Sequence, residues 1–497
     1  MLMKLKSGLV RSDMHIIRTK IAYFSAMCIA VMLSFTGYVQ SQIANDMDLL
    51  TETDTTSRIV EIDKIIITGN KKTKDHIIMR ELDIKPGERY DLQDLRVIIN
   101  DDRNKVYNTS LFNTVEIHIY ELTFNRVLIQ VDVDERWYFY PIPKIAFVDR
   151  NFNDWVINHD ADLNRLNYGV KLTQFNFRGR KERLHVLFQG GYTKAAGLQY
   201  DIPYIDKSQR TGLSYKIGYG ENTNIRYSTF DNIQQFIDSD LIIKTSFNTQ
   251  LSIIRRNSFY IRHHFGLEYD NQWIADTVIN LNPEYFNNST TRQQYFTIGY
   301  LFSFDHRDII AYPLRGDLFR FSVMKRGLGI FDDLNMFNIL TSYSKFWELN
   351  NKFFLSNYTS VYLSFPAQQP YANISGLGYN KNTIRGYELL VIDGKSYIIN
   401  KTTFKKELFA FNKKINAIPI KQFQSFPLAV YLKTYFDFGY VSNLENPELT
   451  TSLTNTFIYG YGLGLDMFTT YDLVIRIEYS INSQNDTGFF LHFRKDF

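Results

Sequence analysis

The chain has 497 residues, a formal net charge of +4 and an aromatic content of 16%, with a mean hydropathy of −0.25. The nearly balanced charge argues against a nucleic-acid-binding protein, and the polar mean hydropathy excludes a bundle of membrane helices. A β-barrel is compatible with these values, because only alternate residues of its strands face lipid.

Residues 1–41 have the features of a secretory signal peptide. Several Lys and Arg residues within positions 4–20 precede the uncharged run 21–35, and a short polar stretch ends at Ser41. A membrane anchor is the alternative, but the run is shorter than the roughly 20 residues that a spanning helix needs. The sequence therefore predicts export with cleavage just after Ser41, followed by a flexible polar leader over residues 42–57.

Cysteine is confined to the signal region of this chain. Cys28 is the only cysteine of the sequence and lies inside the apolar run. After cleavage the protein would contain no cysteine, so the sequence predicts neither a disulfide nor a thiolate metal site nor a thiol nucleophile.

Residues 58–136 predict a small α+β domain with the element order β-α-α-β-β. The turn pair Gly69-Asn70 ends a β-rich run, and Thr73 and Asp91 are candidate N-caps of two amphipathic helices. Segments 111–120 and 126–133 then alternate as two closing strands. This order places both helices on one face of a small sheet.

From residue 137 to residue 497 the pattern changes to alternating apolar and polar positions. About sixteen runs of about 8–14 residues show this alternation, without an amphipathic helical stretch. Short turns alternate loosely with longer polar loops such as 271–292 and 366–395. The pattern predicts an antiparallel transmembrane β-barrel of about 16 strands. A soluble β-sandwich is the alternative, but it gives no reason for so many Tyr and Phe residues on one face.

Two segments near the C-terminus indicate which face points into the barrel. In segment 458–468, aromatic and aliphatic residues share one face, whereas Gly460, Gly462, Gly464 and Asp466 share the other. In segment 474–480 the corresponding polar face carries Arg476 and Glu478. A charge exposed to lipid at mid-depth costs about 2–4 kcal/mol, so we expect these residues to face a polar lumen.

Taken together, the two regions resemble the BamA/TamA superfamily of outer-membrane assembly and secretion proteins, also called the bacterial surface antigen family. Residues 58–136 resemble one polypeptide-transport-associated (POTRA) domain through the Gly69-Asn70 turn and the segments LDIKPGERYD, SLFNTVEIHI and VDVDER. The resemblance extends over nearly all of the mature chain, from about residue 58 to Phe497.

Two barrel segments carry the resemblance further. FDHRDIIAYPLRGDLF is similar to the strand-turn-strand segment of the family, and its matching residues are Asp305, Arg307, Asp308, Pro313 and Gly316. NTIRGYELL resembles the family's R-G-F/Y loop motif, with Arg385, Gly386 and Tyr387 at the matching positions. A chance tripeptide is the alternative interpretation of the second segment.

In the family, this loop folds back into the lumen and its arginine pairs with an aspartate on a later strand. The segment YFDFGYV supplies Asp437, which by alternation shares the lumen face with Lys433 and Tyr435. A guanidinium can form two parallel hydrogen bonds with a carboxylate. Such an anchor would offset the conformational entropy that a loop of roughly thirty residues loses.

The C-terminal segment resembles the β-signal by which nascent barrels are recognised. Leu491, Phe493 and Phe497 share one parity, and Phe497 ends the sequence given.

The resemblance implies a non-enzymatic insertase or translocase in the outer membrane of a Gram-negative-type bacterium, with the POTRA domain in the periplasm. Its partners would be unfolded outer-membrane or secreted polypeptides, outer-membrane lipid, and accessory proteins of the periplasm or lipoproteins, but no nucleic acid. Clients would add by β-augmentation at a lateral seam between a first strand within about 138–148 and the C-terminal strand.

Other functions remain open at this stage. A passive outer-membrane channel and a two-partner secretion pore are the alternatives, although the latter typically has two POTRA domains and a plug helix. Neither a G-x-S-x-G nucleophile motif nor a His/Cys cluster at metal spacing is present. The sequence therefore predicts no catalytic residue, no cofactor and no metal site.

Overall fold

The computed structural model describes the chain from residue 58 to residue 495 with several gaps. The described residues are 58–147, 155, 160, 162–163, 166–331, 333–350, 352–366, 368–374, 376–379, 382–415, 424–443 and 451–495. The predicted signal peptide, the leader and Phe497 lie outside them.

The N-terminal domain is a four-stranded sheet covered by two helices. Its elements are β1 Ile59–Thr68, α1 Asp75–Met79, β2 Arg89–Asp91, α2 Leu92–Tyr107, β3 Phe112–Thr123 and β4 Arg126–Glu135. The strand order is β2-β1-β4-β3, with β1 and β4 parallel. The predicted order of elements is thus present, with the three-residue strand β2 in addition.

One of the two predicted helix caps is present in this domain. The Asp91 carboxylate accepts a hydrogen bond from the Gln93 amide at 2.9 Å and caps α2, as predicted. The prediction for Thr73 was wrong: Lys74 is the N-cap of α1, and the Thr73 hydroxyl instead donates to Glu135 at 2.6 Å. Thr73 is buried by the chain that leaves the domain, and this long-range partner replaces the local one.

A second sheet of sixteen antiparallel strands, within the described part of the chain, forms the barrel. Its strands are β5 Phe139–Phe147, β6 Leu166–Phe177, β7 Glu182–Gly191, β8 Thr193–Ile202, β9 Thr211–Asn222, β12 Lys244–Arg256, β13 Ile261–Ile274, β14 Arg292–Asp305, β15 Gly316–Arg326, β16 Met336–Asn350, β17 Phe353–Phe365, β18 Ser396–Lys414, β19 Ser425–Ser442, β20 Phe457–Thr469, β21 Leu473–Asn482 and β22 Thr487–Lys495.

Two further elements lie in the long loops at the end of the barrel away from the N-terminal domain. Strands β10 Asn224–Phe230 and β11 Ile233–Asp238 form a separate hairpin, and α3 Asp276–Leu281 precedes β14. Among the residues that the structure describes, no helix is long and apolar enough to cross a membrane.

Side chains alternate across the barrel wall with the predicted phase. On β19, Leu432 and Phe436 are 38% and 46% exposed, whereas Lys433, Tyr435 and Asp437 are 3%, 4% and 0% exposed. Such a phase is expected in a bilayer, because exposing an ionised side chain to hydrocarbon is costly. The charged residues of β19 therefore face the lumen.

The sheet ends at β5 and β22, and the described residues contain no hydrogen-bonded ladder between these two strands. The start of β5 nevertheless lies beside the β20–β21 turn. The Tyr140 and Tyr471 rings are 6.0 Å apart, and Arg136 forms a buried ion pair with Asp472 at 2.7 Å. The chain thus closes on itself around a seam.

The N-terminal domain contacts the turns at the end of the barrel where β5 begins. Glu81, which follows α1 and is 3% exposed, accepts two hydrogen bonds from Arg256 at the end of β12, at 2.8 and 3.0 Å. At the end of α2, the Asn108 side chain donates to the Asp308 carbonyl at 2.8 Å and accepts from the Ile310 amide. Polar contacts with several different turns therefore orient this domain.

We expect acid to weaken this contact in a defined window. Burial by itself raises the pKa of the Glu81 carboxyl, but Lys181 and Arg256 outweigh burial and hold the pKa at about 2, below the ordinary 4.5. A carboxyl whose pKa is depressed on folding contributes stability above pH 4.5 and loses it as the pH falls towards 2. Hydrogen exchange of residues 75–82, corrected for intrinsic rates, should show protection that falls across this window. Glu81→Gln should be less protected already at pH 7, and equal protection of the two proteins there would contradict the prediction.

Candidate functional site at the lumen loop

The described residues of the loop between β17 and β18, which spans 366–395, pack against the inner wall of the barrel. Its side chains Leu377, Ile384 and Tyr387 are at most 2% exposed and belong to one apolar cluster with lumen residues of β18, β19 and β20. The Val391 amide also donates to the Asn232 carbonyl at the tip of the β10–β11 hairpin, at 2.8 Å. The loop is therefore held from the wall and from the outer hairpin.

Arg385 and Asp437 form a bidentate ion pair. Arg385 Nε donates to one carboxylate oxygen of Asp437 at 2.7 Å, and Nη2 donates to the other at 2.5 Å. The Arg385 backbone amide adds a third bond at 3.2 Å, and its guanidinium lies 3.8 Å from the Tyr435 ring centroid. Asp437 has no exposed surface. This geometry suits a directional anchor of the loop.

Gly386 and Tyr387 attach the same part of the loop to the end of β21. Gly386 has φ +95°, a conformation that side chains disfavour, and its carbonyl accepts from Asn482 Nδ2 at 3.1 Å. The Tyr387 hydroxyl shares a 2.6 Å hydrogen bond with the Ser483 hydroxyl. Because Arg385 Nη2 also donates to the Thr403 hydroxyl at 3.0 Å, the three motif residues contact β18, β19 and β21.

Two glycines on β20 make room for close neighbours, Gly460 for the loop and Gly462 for the Tyr435 side chain. A Cβ atom on Gly460 would lie 1.9 Å from the Arg385 carbonyl oxygen, and one on Gly462 would lie 2.6 Å from the Tyr435 hydroxyl. Both positions face the lumen. The sequence alternation placed these glycines on the polar face. The motifs did not show that the loop would lie against Gly460, and the alternating glycines were the only sequence feature that indicated this contact.

An ion network extends from Arg385 across four strands. Glu478 on β21 lies 3.5 Å from Arg385 Nη1, 2.7 Å from Lys433 Nζ and 3.2 Å from His492 Nε2. Lys433 also pairs with Asp466 on β20. The network therefore ties β19, β20, β21 and β22 together next to the loop.

The strand-turn segment between β14 and β15 forms its own set of contacts. Arg307 donates to both carboxylate oxygens of Asp305 at 2.7 Å, and Asp308 accepts from the Leu314 amide at 3.1 Å. Gly316 has φ +95°, and a Cβ there would lie 1.9 Å from the His306 carbonyl oxygen. Pro313 lies inside this turn.

Tyr312, which the motif comparison did not single out, connects this turn with the ion network. It is 3% exposed, and its hydroxyl donates to Asp466 at 2.9 Å. Because Asp466 also pairs with Lys433, contacts continue from the turn to Arg385. The only sequence feature that pointed to Tyr312 was its position between the motif residues Asp308 and Pro313.

Three potential metal ligands lie close together in the network. One ligand atom each of Glu388, Glu478 and His492 falls within 4.8 Å of the others. His492 and Lys433 already lie within ion-pair distance of Glu478. Protein cations thus neutralise these carboxylates, and the arrangement is that of an ion-pair cluster.

Two of the three predicted β-signal residues lie on the last strand. In β22, Leu491 pairs with Ile477 and Phe493 pairs with Ile475 of β21. Phe497 lies outside the described residues.

Comparisons with known proteins agree with this architecture. Residues 176–494 match the Omp85 superfamily domain, and residues 60–136 match a POTRA domain described as a surface antigen variable number repeat. Among solved structures, CdiB from Escherichia coli is similar with a TM-score of 0.52 and 10% identity, over 87% of this chain and 75% of that chain. BamA from Haemophilus ducreyi lacking POTRA domains 1-3 has a TM-score of 0.49 and 15% identity, over 88% and 84% of the two chains. No curated protein matches the chain.

The family match and the geometry cover the same residues. The Omp85 match includes the strand-turn segment, the lumen loop and Asp437, and it spans more than half of the chain. At 10% identity, the likeness to CdiB shows the fold alone. On the strength of the two domain matches, the chain belongs to the Omp85 superfamily of outer-membrane β-barrel proteins and carries a POTRA domain.

Proposed function

We propose that the protein is an outer-membrane insertase that accepts client strands at the seam between β5 and β22 by β-augmentation, with its POTRA domain in the periplasm. Membership of the Omp85 superfamily supports the general type of function, an insertase or translocase that handles polypeptides and is not an enzyme. The observation that carries the finer proposal is the pair of strand edges at β5 and β22 that lack a ladder in the described residues.

Open strand edges favour the addition of another strand. Each unpaired edge presents backbone N–H and C=O groups that have no hydrogen-bond partner in hydrocarbon. Each such group costs roughly several kcal/mol of free energy. A client strand satisfies these groups without breaking an existing ladder. Folding of the client can then provide the free energy for insertion.

Two prolines weaken the seam at its periplasmic end. The Tyr138 carbonyl accepts from the Phe175 amide at 2.7 Å, so residue 138 directs its backbone groups towards β6. Because successive strand residues direct these groups to opposite sides, Pro141 and Pro143 direct theirs towards the seam. Proline has no amide hydrogen. The first strand therefore lacks two donors for pairing with β22.

The POTRA sheet offers a second edge. Strand β3 is the outermost strand next to β4, and Tyr120 and Leu122 on it are 48% and 51% exposed. An arriving polypeptide can add to this edge before it reaches the barrel. Accessory proteins of the periplasm or lipoproteins are further proposed partners of this domain.

Depletion of the protein, followed by quantitative proteomics of the outer membrane, tests this function. We expect a defined set of barrel proteins to disappear and to return with the wild-type gene. The double variant Pro141→Val/Pro143→Val regains both backbone donors at the seam, so it should restore the lost barrel proteins less well than the control variant Pro427→Val. Pro427 lies on β19, away from the seam. An unchanged barrel set with loss of one secreted protein would favour a secretion pore, and a large steady conductance would favour a passive channel. Either result would refute the proposal.

A further inference from the structure

A cavity of about 580 Å³ lies between the POTRA domain and two periplasmic turns of the barrel. It is lined by the segment that includes α1, by the β8–β9 turn and by the β12–β13 turn, and we call it the junction pocket. Its charged lining side chains are the cations Arg80, Lys85, Lys207, Arg210 and Arg256 and the single carboxylate Asp83. Asp83 is already paired with Lys105 at 2.5 Å.

Buried cations outnumber carboxylates in the wall of the junction pocket and directly behind it, where Lys181 and Glu81 lie. Arg256, Arg80 and Lys181 share Glu81, at 2.8, 3.3 and 3.7 Å. The side chains of these three cations are only 13%, 11% and 18% exposed. Burial of charge without a matching counter-charge is costly, so this wall favours an additional anion.

Arg80 supplies an independent observation. Its guanidinium lies 3.5 Å from the Tyr204 ring centroid, and no described residue accepts a hydrogen bond from its buried Nη1. Burial, together with repulsion from Arg256, lowers the pKa of Arg80 to about 10. A buried guanidinium donor without an acceptor, on the wall of a cavity, indicates a ligand that carries acceptor oxygens.

We propose that the junction pocket binds a phosphate group, carried by the headgroup of an anionic phospholipid in the periplasmic leaflet. A tetrahedral phosphate presents acceptor oxygens in several directions, which suits basic side chains that come from three separate segments. The lining turn follows β12, whose residues Leu251 and Ile253 are 45% and 46% exposed on the lipid side. Basic pockets at the level of headgroups are a usual mode of anionic lipid recognition. Bound phosphate would contact the POTRA domain and the barrel together.

Binding measurements on the full chain in detergent micelles test the proposal. The protein is titrated with short-chain phosphatidylglycerol, with short-chain phosphatidylcholine and with inorganic phosphate. We expect phosphatidylglycerol to bind best, and Arg80→Gln to weaken its binding by about tenfold or more. Arg103→Gln, the same charge change on the exposed side of α2, should change binding by less than about twofold.

The remaining outcomes decide the source of the phosphate or overturn the site. If Arg80→Gln fails to give a heat-modifiable folded barrel, the double variant Lys207→Gln/Arg210→Gln in the exposed turn takes its place. This variant should also bind phosphatidylglycerol more weakly than the wild type. Inorganic phosphate that binds as well as phosphatidylglycerol, and that depends on Arg80, would support a phosphate site with a soluble ligand. Binding of neither phosphatidylglycerol nor inorganic phosphate, equal binding of phosphatidylcholine and phosphatidylglycerol, or equal loss in Arg103→Gln would overturn the proposal.

Discussion

Arg385→Ala is expected to leave a folded barrel that has lost most of its activity. The substitution removes both side-chain hydrogen bonds to Asp437. The Asp437 carboxylate, which has no exposed surface, then lacks its main partner. Breaking a buried pair in this way typically costs about 3–5 kcal/mol, although lumen water reduces the figure. The barrel ladders do not depend on this pair, so the loss should fall on the position of the loop. Rescue of the depleted strain should fall by about tenfold or more.

A control separates this effect from a general loss of lumen charge. Arg320→Ala on β15 removes an exposed arginine and should retain nearly full rescue. Heat-modifiable migration of both variants in gels should show that the barrel forms. Asp437→Ala should behave like Arg385→Ala, and the double variant should lose little more than either single one, because paired residues are not additive. Full activity of Arg385→Ala would remove the lumen loop from the functional site.

Gly460→Ala is expected to cause a loss of similar size without changing any charge. The added Cβ would lie 1.9 Å from the Arg385 carbonyl oxygen, a distance at which backbone must move. The loop would then leave the wall while Asp437 stays in place. Trypsin cleavage within residues 366–395 should increase together with the loss of rescue.

Gly266→Ala on β13 is the matched control for this substitution. The nearest atom to its added Cβ is the Ser252 hydroxyl oxygen at 3.5 Å, an ordinary contact. This variant should therefore keep its activity and its resistance to trypsin. If Gly460→Ala were as active as Gly266→Ala, close contact between the loop and β20 could not be required for function.

Short-range patterns accounted for the strands and their phase. The alternation around Asp437 placed it on the lumen side because neighbouring strand residues point to opposite faces, and the structure shows this arrangement. The Asp91 cap was predictable for a similar reason, since its partner lies two residues away. The contact of Thr73 and the strand β2 were not predictable, because their partners come from distant parts of the chain.

The ion network was only partly visible in the sequence. Alternation indicated that Glu478 and Lys433 face the lumen, but their contact depends on the register between β19, β20 and β21. Tyr312 reaches Asp466 across 154 positions of the chain. Contacts of this kind depend on how the strands are staggered, which alternation does not specify.

By itself the sequence determined the fold class and the strand phase and singled out the residues of the lumen-loop motif, because each depends on periodicity or on neighbours within a few positions. The tertiary structure alone decided which residues besides Asp437 surround Arg385, that the β5–β22 edges lack a ladder in the described chain, and where the junction pocket lies. These features arise when segments far apart in sequence meet, as Glu81 and Arg256 do, and such meetings follow from barrel closure and turn geometry rather than from local pattern.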